Sequence, residues 1–170
     1  MALDALILGL LDLRPMTGYD LKKAFDGTVA HFWSADQSQI YRTLARLEQD
    51  GLVDVRVVPQ AGRPDRREHR LTDGGRARLT EWLRSPLPDE KPREPFLGRL
   101  FFVGREDDPE LVRALLAERR DAARRLLATL ENLPVVNGDL SARLRSATLR
   151  KGILEVQAEL TWLDELEAAL

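Results

Sequence analysis

Along most of this chain apolar residues recur at helical spacing, and over one short stretch they switch to every second position. Leu3, Leu6, Ile7, Leu10, Leu11 and Leu13 leave little polar surface, so they predict a first helix, largely buried, that ends at Arg14-Pro15. Thr17 and Asp20 stand at capping-box spacing at the head of a second helix, with Leu21, Ala24 and Phe25 inside and Gly27 as its stop. A connector containing His31, Phe32 and Trp33 leads to a third helix, capped by Ser34 or Asp36. Its Ile40, Leu44 and Leu47 fall at i, i+4 and i+7. At about 100° per residue the opposite side carries Ser38, Arg42, Ala45 and Gln49, flanked by Gln39 and Arg46. Gly51 stops this helix where a left-handed cap belongs. Period-two alternation through Val53-Asp54-Val55-Arg56-Val57 then predicts a half-buried strand. Residues 60–65 turn on Gly62 and Pro64, and Arg67-Glu68-His69-Arg70-Leu71 returns as a second strand. A fourth helix, over 72–84, has Ala77, Leu79, Trp82 and Leu83 on its expected inner side. Helix, hairpin and basic hairpin tip in that order predict a winged helix over residues 1–85.

Past residue 84 the pattern breaks. Residues 85–95 hold four prolines and five charged residues, which predicts a linker over 86–95. Phe96, Leu97, Leu100, Phe101, Phe102 and Val103 then predict a short, very apolar helix. Asp108-Pro109 opens a longer one to about residue 132, with proline at the first helical position. After a loop over 134–139 the chain is helical again to residue 170. Within that last helix Leu149, Ile153, Val156, Leu160 and Leu163 step by 4, 3, 4 and 3, a heptad seam. Two readings of the seam stay open: packing on the preceding helices of its own unit, or pairing with a second subunit. The second is favoured, because three helices have little surface of their own to bury and operator recognition calls for dimers. The expected fold is mainly α: an N-terminal winged helix-turn-helix with a two-stranded β-wing, plus a C-terminal α-helical dimerisation domain over 96–170.

Composition narrows the chemistry. The 170 residues include no cysteine and only two histidines, His31 and His69. Disulfides, thiolate catalysis and cysteine-ligated zinc are thereby excluded, and a histidine-based metal site or triad has almost no material. No Gly-rich loop follows a strand to cradle phosphate. The expectation is a non-enzyme with no cofactor and no metal. The apolar run 3–13, interrupted by Asp4 and Asp12, is too short to span a membrane and lacks a signal-peptide layout, so a cytoplasmic location is expected.

Net charge is −2 overall, but +1 over residues 1–85 and −3 over 86–170. The wing is locally basic, with Arg56, Arg63, Arg66, Arg67 and Arg70 against Asp54, Asp65 and Glu68. That distribution predicts specific DNA binding with modest non-specific affinity and a clear salt dependence. The rival reading is a winged helix that binds a protein and no DNA. An apolar or acidic outward face on the third helix would suit that rival, whereas Ser38, Gln39 and Arg42 suit base edges.

Several motifs together resemble the PadR family of bacterial winged-helix repressors. They are Tyr41, Leu44, Arg46-Leu47-Glu48, Gly51-Leu52-Val53, Gly62-Arg63-Pro64, and Arg70-Leu71-Thr72 followed by Gly75-Arg76. Thr17-Gly18-Tyr19-Asp20-Leu21 fits as well, and Pro95-Phe96-Leu97 leading into the last helices looks like the branch with a long, Vir-like C-terminal domain. The resemblance covers essentially the whole chain. Two departures stand out. Ser38-Gln39-Ile40-Tyr41-Arg42 occupies the place where many members read Gly-Thr-Leu-Tyr-Pro, which bears on the operator read. His69 stands where an aromatic residue, usually tyrosine, is common.

The resemblance implies a concrete site. Ser38, Gln39 and Arg42 would face the major groove with Arg46 beside them, since glutamine pairs with adenine and arginine with guanine. Tyr19, Tyr41 and Lys22 or Lys23 would contact phosphates, and Arg63 at the wing tip would enter the minor groove or clamp the backbone beside it. The implied partners are a pseudo-palindromic double-stranded DNA operator and a second copy of the chain. Such repressors respond to small hydrophobic or phenolic effectors, for which Trp162 and Phe101, with Phe96 and Phe102, are the aromatic candidates.

Overall fold

The computed structural model describes residues 2–59, 65–87, 94–135 and 138–170. The chain divides into two compact units, Met1–Pro88 and Asp89–Leu170. In the first unit α1 (Ala2–Leu13) is apolar nearly all round and buries Ala5, Ile7, Leu8, Leu10 and Leu11. Leu21 and Phe25 of α2 (Gly18–Asp26) and Ile40, Leu44 and Leu47 of α3 (Gln37–Gln49) complete one core with it, each at most 2% exposed.

Local chemistry sets where these helices start and stop. The Asp20 N–H donates to the Thr17 hydroxyl at 3.0 Å, and the Thr17 N–H donates to the Asp20 carboxylate at 3.0 Å. Asp36, rather than Ser34, caps α3: it accepts from the Gln39 N–H at 2.7 Å, while the Gln39 amide oxygen accepts from the Asp36 N–H at 3.0 Å. Gly51 ends that helix with φ of 68°, a conformation open to glycine at no steric cost. The Thr72 hydroxyl then donates to the Gly51 carbonyl at 2.9 Å and accepts from the Gly75 N–H at 3.0 Å, tying the end of α3 to the start of α4 (Asp73–Arg84).

The wing is an antiparallel pair, β1 (Val53–Val58) and β2 (Arg66–Leu71), each one residue longer than expected. The register sets Val53 opposite Leu71, and places Asp54 opposite Arg70 and Arg56 opposite Glu68, two favourable cross-strand charge pairs. β1 is buried at Val53 alone and Val57 is 50% exposed, so the expected half-buried strand leaves the core after its first rungs. β2 keeps His69 and Leu71 buried. Met16 adds a bridge to His69, with N–H···O distances of 3.1 and 2.8 Å, and so fastens the α1–α2 turn to the wing. The expected turn at 60–64, including Arg63, lies outside the described residues.

α4 departs from expectation. Only Gly75 is buried; Leu79 packs partly against the core, Ala77 is exposed, and Trp82 and Leu83 are 40% and 67% exposed. The helix meets the core through its first turn, where a Cβ on Gly75 would stand 2.2 Å from the Leu52 carbonyl oxygen. The apolar positions near its C-terminus are left to solvent in the single chain.

The second unit contains α5 (Pro95–Val103), a 3₁₀ turn (Gly104–Glu106), α6 (Pro109–Glu131) and α7 (Leu140–Ala168). The expected linker, 86–95, falls mostly outside the described residues. α6 and α7 form an antiparallel hairpin, and here the seam finds its partner. Leu149 and Val156 are buried with Ala123 and Leu130, Ile153 and Leu160 pack against that cluster, and Leu163 is fully buried. Within one chain the expected dimerisation seam, Leu149, Ile153, Val156, Leu160 and Leu163, therefore packs along α6. An intrachain hairpin and an intersubunit coil ask for the same apolar spacing, so periodicity alone does not separate them. Arg119–Glu159 at 2.6 Å and Arg120–Asp164 at 3.0 Å flank the hairpin. Among the described residues no helix is long and apolar enough to cross a membrane.

Candidate nucleic-acid interface

Because Ile40, Thr43, Leu44 and Leu47 are buried, the opposite side of α3 has to face outward. Ser38, Tyr41, Arg42, Ala45 and Gln49 are all exposed. The first turn is compact: the Ser38 hydroxyl donates to the Asp36 carboxylate at 2.7 Å, and Arg42 Nε donates to the Ser38 carbonyl at 3.3 Å. The Ser38 hydroxyl, followed by the Gln39 N–H, holds the Asp36 carboxyl below the usual carboxylate range. Gln39 is committed to the cap through its amide oxygen.

Arg46 is exposed beside this face and is paired across to α1. Its guanidinium pairs with Asp4 of α1 at 2.5 Å, and that hydrogen bond raises its already high pKa. It fastens α3 to α1. Lys22 forms an ion pair with Asp26 one turn along α2, and the Lys23 ammonium lies 5.0 Å from the Tyr19 ring centroid. Tyr19 is 61% exposed and Tyr41 45%. Tyr41 reaches over the start of α2: a Cβ on Gly18 would stand 2.7 Å from its ring carbons Cε1 and Cζ. Glycine at position 18 is what lets the ring lie there.

Between the head of α2, the exposed flank of α3 and β2 lies a cleft of about 640 Å³, lined by Tyr19, Asp20, Tyr41, Glu48, Asp65, Arg66, Arg67 and His69, among others. Arg66 reaches Asp20 at 3.1 Å and Glu68 at 3.3 Å, and Arg67 lies 3.7 Å from Glu48. Burial works to raise the Asp20 carboxyl, but hydrogen bonds from Thr17 and the charges of Arg66 and Arg14 outweigh it and leave its pKa lowered. Burial pushes the His69 imidazole below its ordinary value, and contact with the Met16 carbonyl only partly offsets this. The sequence gives no local sign of these cross-links, because Asp4–Arg46 and Asp20–Arg66 join residues 42 and 46 positions apart.

In the second unit the Phe96 and Trp162 rings meet edge to face at 6.2 Å, and the Arg119 guanidinium lies 5.4 Å from the Phe96 centroid. A cavity of about 210 Å³ is lined by Phe96, Arg99, Leu115, Glu118 and Arg119, with Pro95 and Ala122. Trp162 touches that region through Phe96, whereas Phe101 pairs with Phe102 and is 82% exposed.

Residues 7–81 match the family described as transcriptional regulator PadR-like, and residues 92–170 match the family described as virulence activator alpha C-term. The chain is 33% identical to a probable transcriptional regulator of Mycobacterium tuberculosis, over 100% of this chain and 98% of that one. It is 27% identical to the negative transcriptional regulator PadR of Bacillus subtilis, over 96% and 94% of the two chains. The structure of that protein in complex with operator DNA superposes with a TM-score of 0.79, at 24% identity and 99% and 98% coverage. Its complex with p-coumaric acid gives 0.64, at 24% identity and 98% and 94% coverage. The virulence activator AphA of Vibrio cholerae superposes with a TM-score of 0.70, at 31% identity and 98% and 96% coverage.

Proposed function

The chain belongs to the PadR-like family of transcriptional regulators, and we propose that it is a dimeric repressor that reads a pseudo-palindromic DNA operator through α3. One observation carries the reading. A helix whose apolar side is wholly in the core presents Ser38, Tyr41, Arg42 and Ala45 outward beside a wing. Ser38 and Arg42 meet base edges, and Gln39 does so through its amide nitrogen while its oxygen stays in the cap; Tyr19 and Tyr41 donate their hydroxyls to phosphates, with Lys22 at the backbone and Arg63 at the wing. Arg46 stands beside this set and is paired with Asp4.

Dimerisation is assigned to the apolar surface that one chain leaves uncovered. α5 is almost entirely apolar yet buries none of its residues, with Phe101 82% and Phe102 66% exposed. A second copy covers it, which sets two recognition helices in successive major grooves about 34–36 Å apart. Repression is relieved by a small phenolic or hydrophobic effector. The cavity between Phe96, Arg99 and Arg119 supports this, because an aromatic face next to guanidinium groups suits an aromatic carboxylate. The p-coumaric acid complex of the Bacillus relative points to the same chemistry.

The test is a mobility shift on the DNA upstream of the protein's own gene, with salt titrated and random DNA as competitor. Arg42→Ala is expected to weaken the specific complex by roughly 1–3 kcal/mol and to relax base preference at one position. Arg46→Ala is expected to leave the ratio of operator to random binding unchanged. An unshifted fragment, together with no selection of any sequence from a random pool, refutes the reading in favour of a wing that binds protein.

A further inference from the structure

The cleft between recognition helix and wing has the wrong charge for a simple phosphate seat. Arg66 and Arg67 contribute two positive charges to its lining, while Asp20, Glu48 and Asp65 contribute three negative ones. His69 is held toward its neutral form there. The two arginines differ in how they are held. Arg66 is shared between Asp20 and Glu68, whose side chains are 24% and 21% exposed, and this links wing to α2. Arg67 has a looser partner: its side chain is 62% exposed, and Glu48 on α3 is 43% exposed at 3.7 Å. An exposed pair at that distance is weak, worth at most about 1 kcal/mol, and exchanges readily.

We propose that Glu48 is an internal competitor for the DNA backbone. It holds Arg67 in an ion pair across the cleft, so that Arg67 reaches a phosphate only by leaving Glu48, and this lowers affinity for DNA of any sequence. The role is distinct from base reading, because Glu48 and Arg67 lie on the cleft flank of α3 and on β2 rather than among Ser38 and Arg42. Such a penalty falls equally on every duplex: it leaves the ratio of operator to random affinity unchanged and lowers the absolute affinity for both. The inference rests on the DNA-binding reading above.

The probe is a fluorescent random-sequence duplex, titrated with the full chain by anisotropy across a salt series, so that no operator has to be known. Glu48→Gln keeps the side chain's size, and its fold is checked by thermal melting. Releasing one weak ion pair is expected to tighten binding severalfold at low salt, up to about fivefold. Arg67 then neutralises one further phosphate, so the slope of log affinity against log salt is expected to steepen by about 0.9. In an Arg67→Gln background the Glu48→Gln gain is expected to fall below twofold. Unchanged affinity and slope in a folded Glu48→Gln variant overturn the proposal, and so does an equal gain in both backgrounds, which would make Glu48 a general repulsion. If the parent chain binds no duplex even at low salt, the DNA-binding reading itself fails and takes the proposal with it.

Discussion

The contact between Gly18 and Tyr41 offers a test of how the reading head is assembled. A methyl group at position 18 would stand 2.7 Å from two ring carbons, against an ordinary contact distance of 3.4 Å or more, so the ring must yield by at least 0.7 Å. Two effects oppose each other in Gly18→Ala. Removing glycine from the first turn of a helix lowers the entropy of the unfolded chain and stabilises by about 0.4–1 kcal/mol. Overpacking destabilises by about 1–3 kcal/mol. Tyr41 is 45% exposed and swings outward more easily than a buried ring, which places the cost toward the lower end of that range. The net expectation is a loss of roughly 0.5–1.5 kcal/mol. With the ring removed by Tyr41→Ala the clash disappears, and the same Gly18→Ala change is expected to stabilise by about 0.4–1 kcal/mol. Urea denaturation of the parent, both single variants and the double variant measures the coupling directly. A sign reversal between backgrounds supports the reasoning. Equal destabilisation in both would show that the glycine is required for some reason other than Tyr41.

Three further outcomes are expected. Because the His69 pKa is lowered by burial, the folded state resists protonation more than the unfolded chain does. The stability it preserves is present above the unfolded value of about 6.5 and is lost as pH falls through the lower folded value; denaturation at pH 7.5 and 5.5 should show this loss, reduced in His69→Tyr. Gly75→Ala forces a Cβ to within 2.2 Å of the Leu52 carbonyl oxygen, where backbone must move, and should cost about 3 kcal/mol or more by urea denaturation; a cost under 1 kcal/mol would refute the close approach. Leu163→Ala, at a fully buried position, should destabilise by about 2–5 kcal/mol without changing the oligomeric state of the folded protein, whereas Phe101→Glu should yield folded monomers in analytical ultracentrifugation.

What the sequence made legible was whatever a local rule governs. The stripes Leu21/Phe25 and Ile40/Leu44/Leu47, the Thr17–Asp20 capping box, the Gly51 stop and the order of helix and hairpin all depend on residues within a few positions of one another. The failures share a different cause. Of the large apolar residues of α4 only Leu79 packs against the core, and the closest approach is made by Gly75, whose importance lies in having no side chain at all. The seam on α7 left both an intrachain and an intersubunit partner open, with the second favoured; within one chain it packs on Ala123 and Leu130 of α6, whose part in this no local rule on α7 gives. Arg46 is exposed as the helical wheel expects, but the wheel gives no sign of Asp4 beside it.

These long-range links also bear on how binding is controlled. α3 is joined to α1 by Arg46–Asp4 and to α4 by the Gly51–Thr72 hydrogen bond, and the loose Glu48–Arg67 pair runs from it to the wing. The wing is joined in turn to α2 by Arg66–Asp20 and to the α1–α2 turn by the paired Met16–His69 bridge. Of these links only the Glu48–Arg67 pair runs directly from α3 to β2. The remaining links tie the unit together through α1, α2 and α4, so in the dimer we propose the separation of the two units that carry α3 is a softer coordinate than their interior. It needs no core contact to break, and an operator with half-sites about one helical turn apart is sensitive to it.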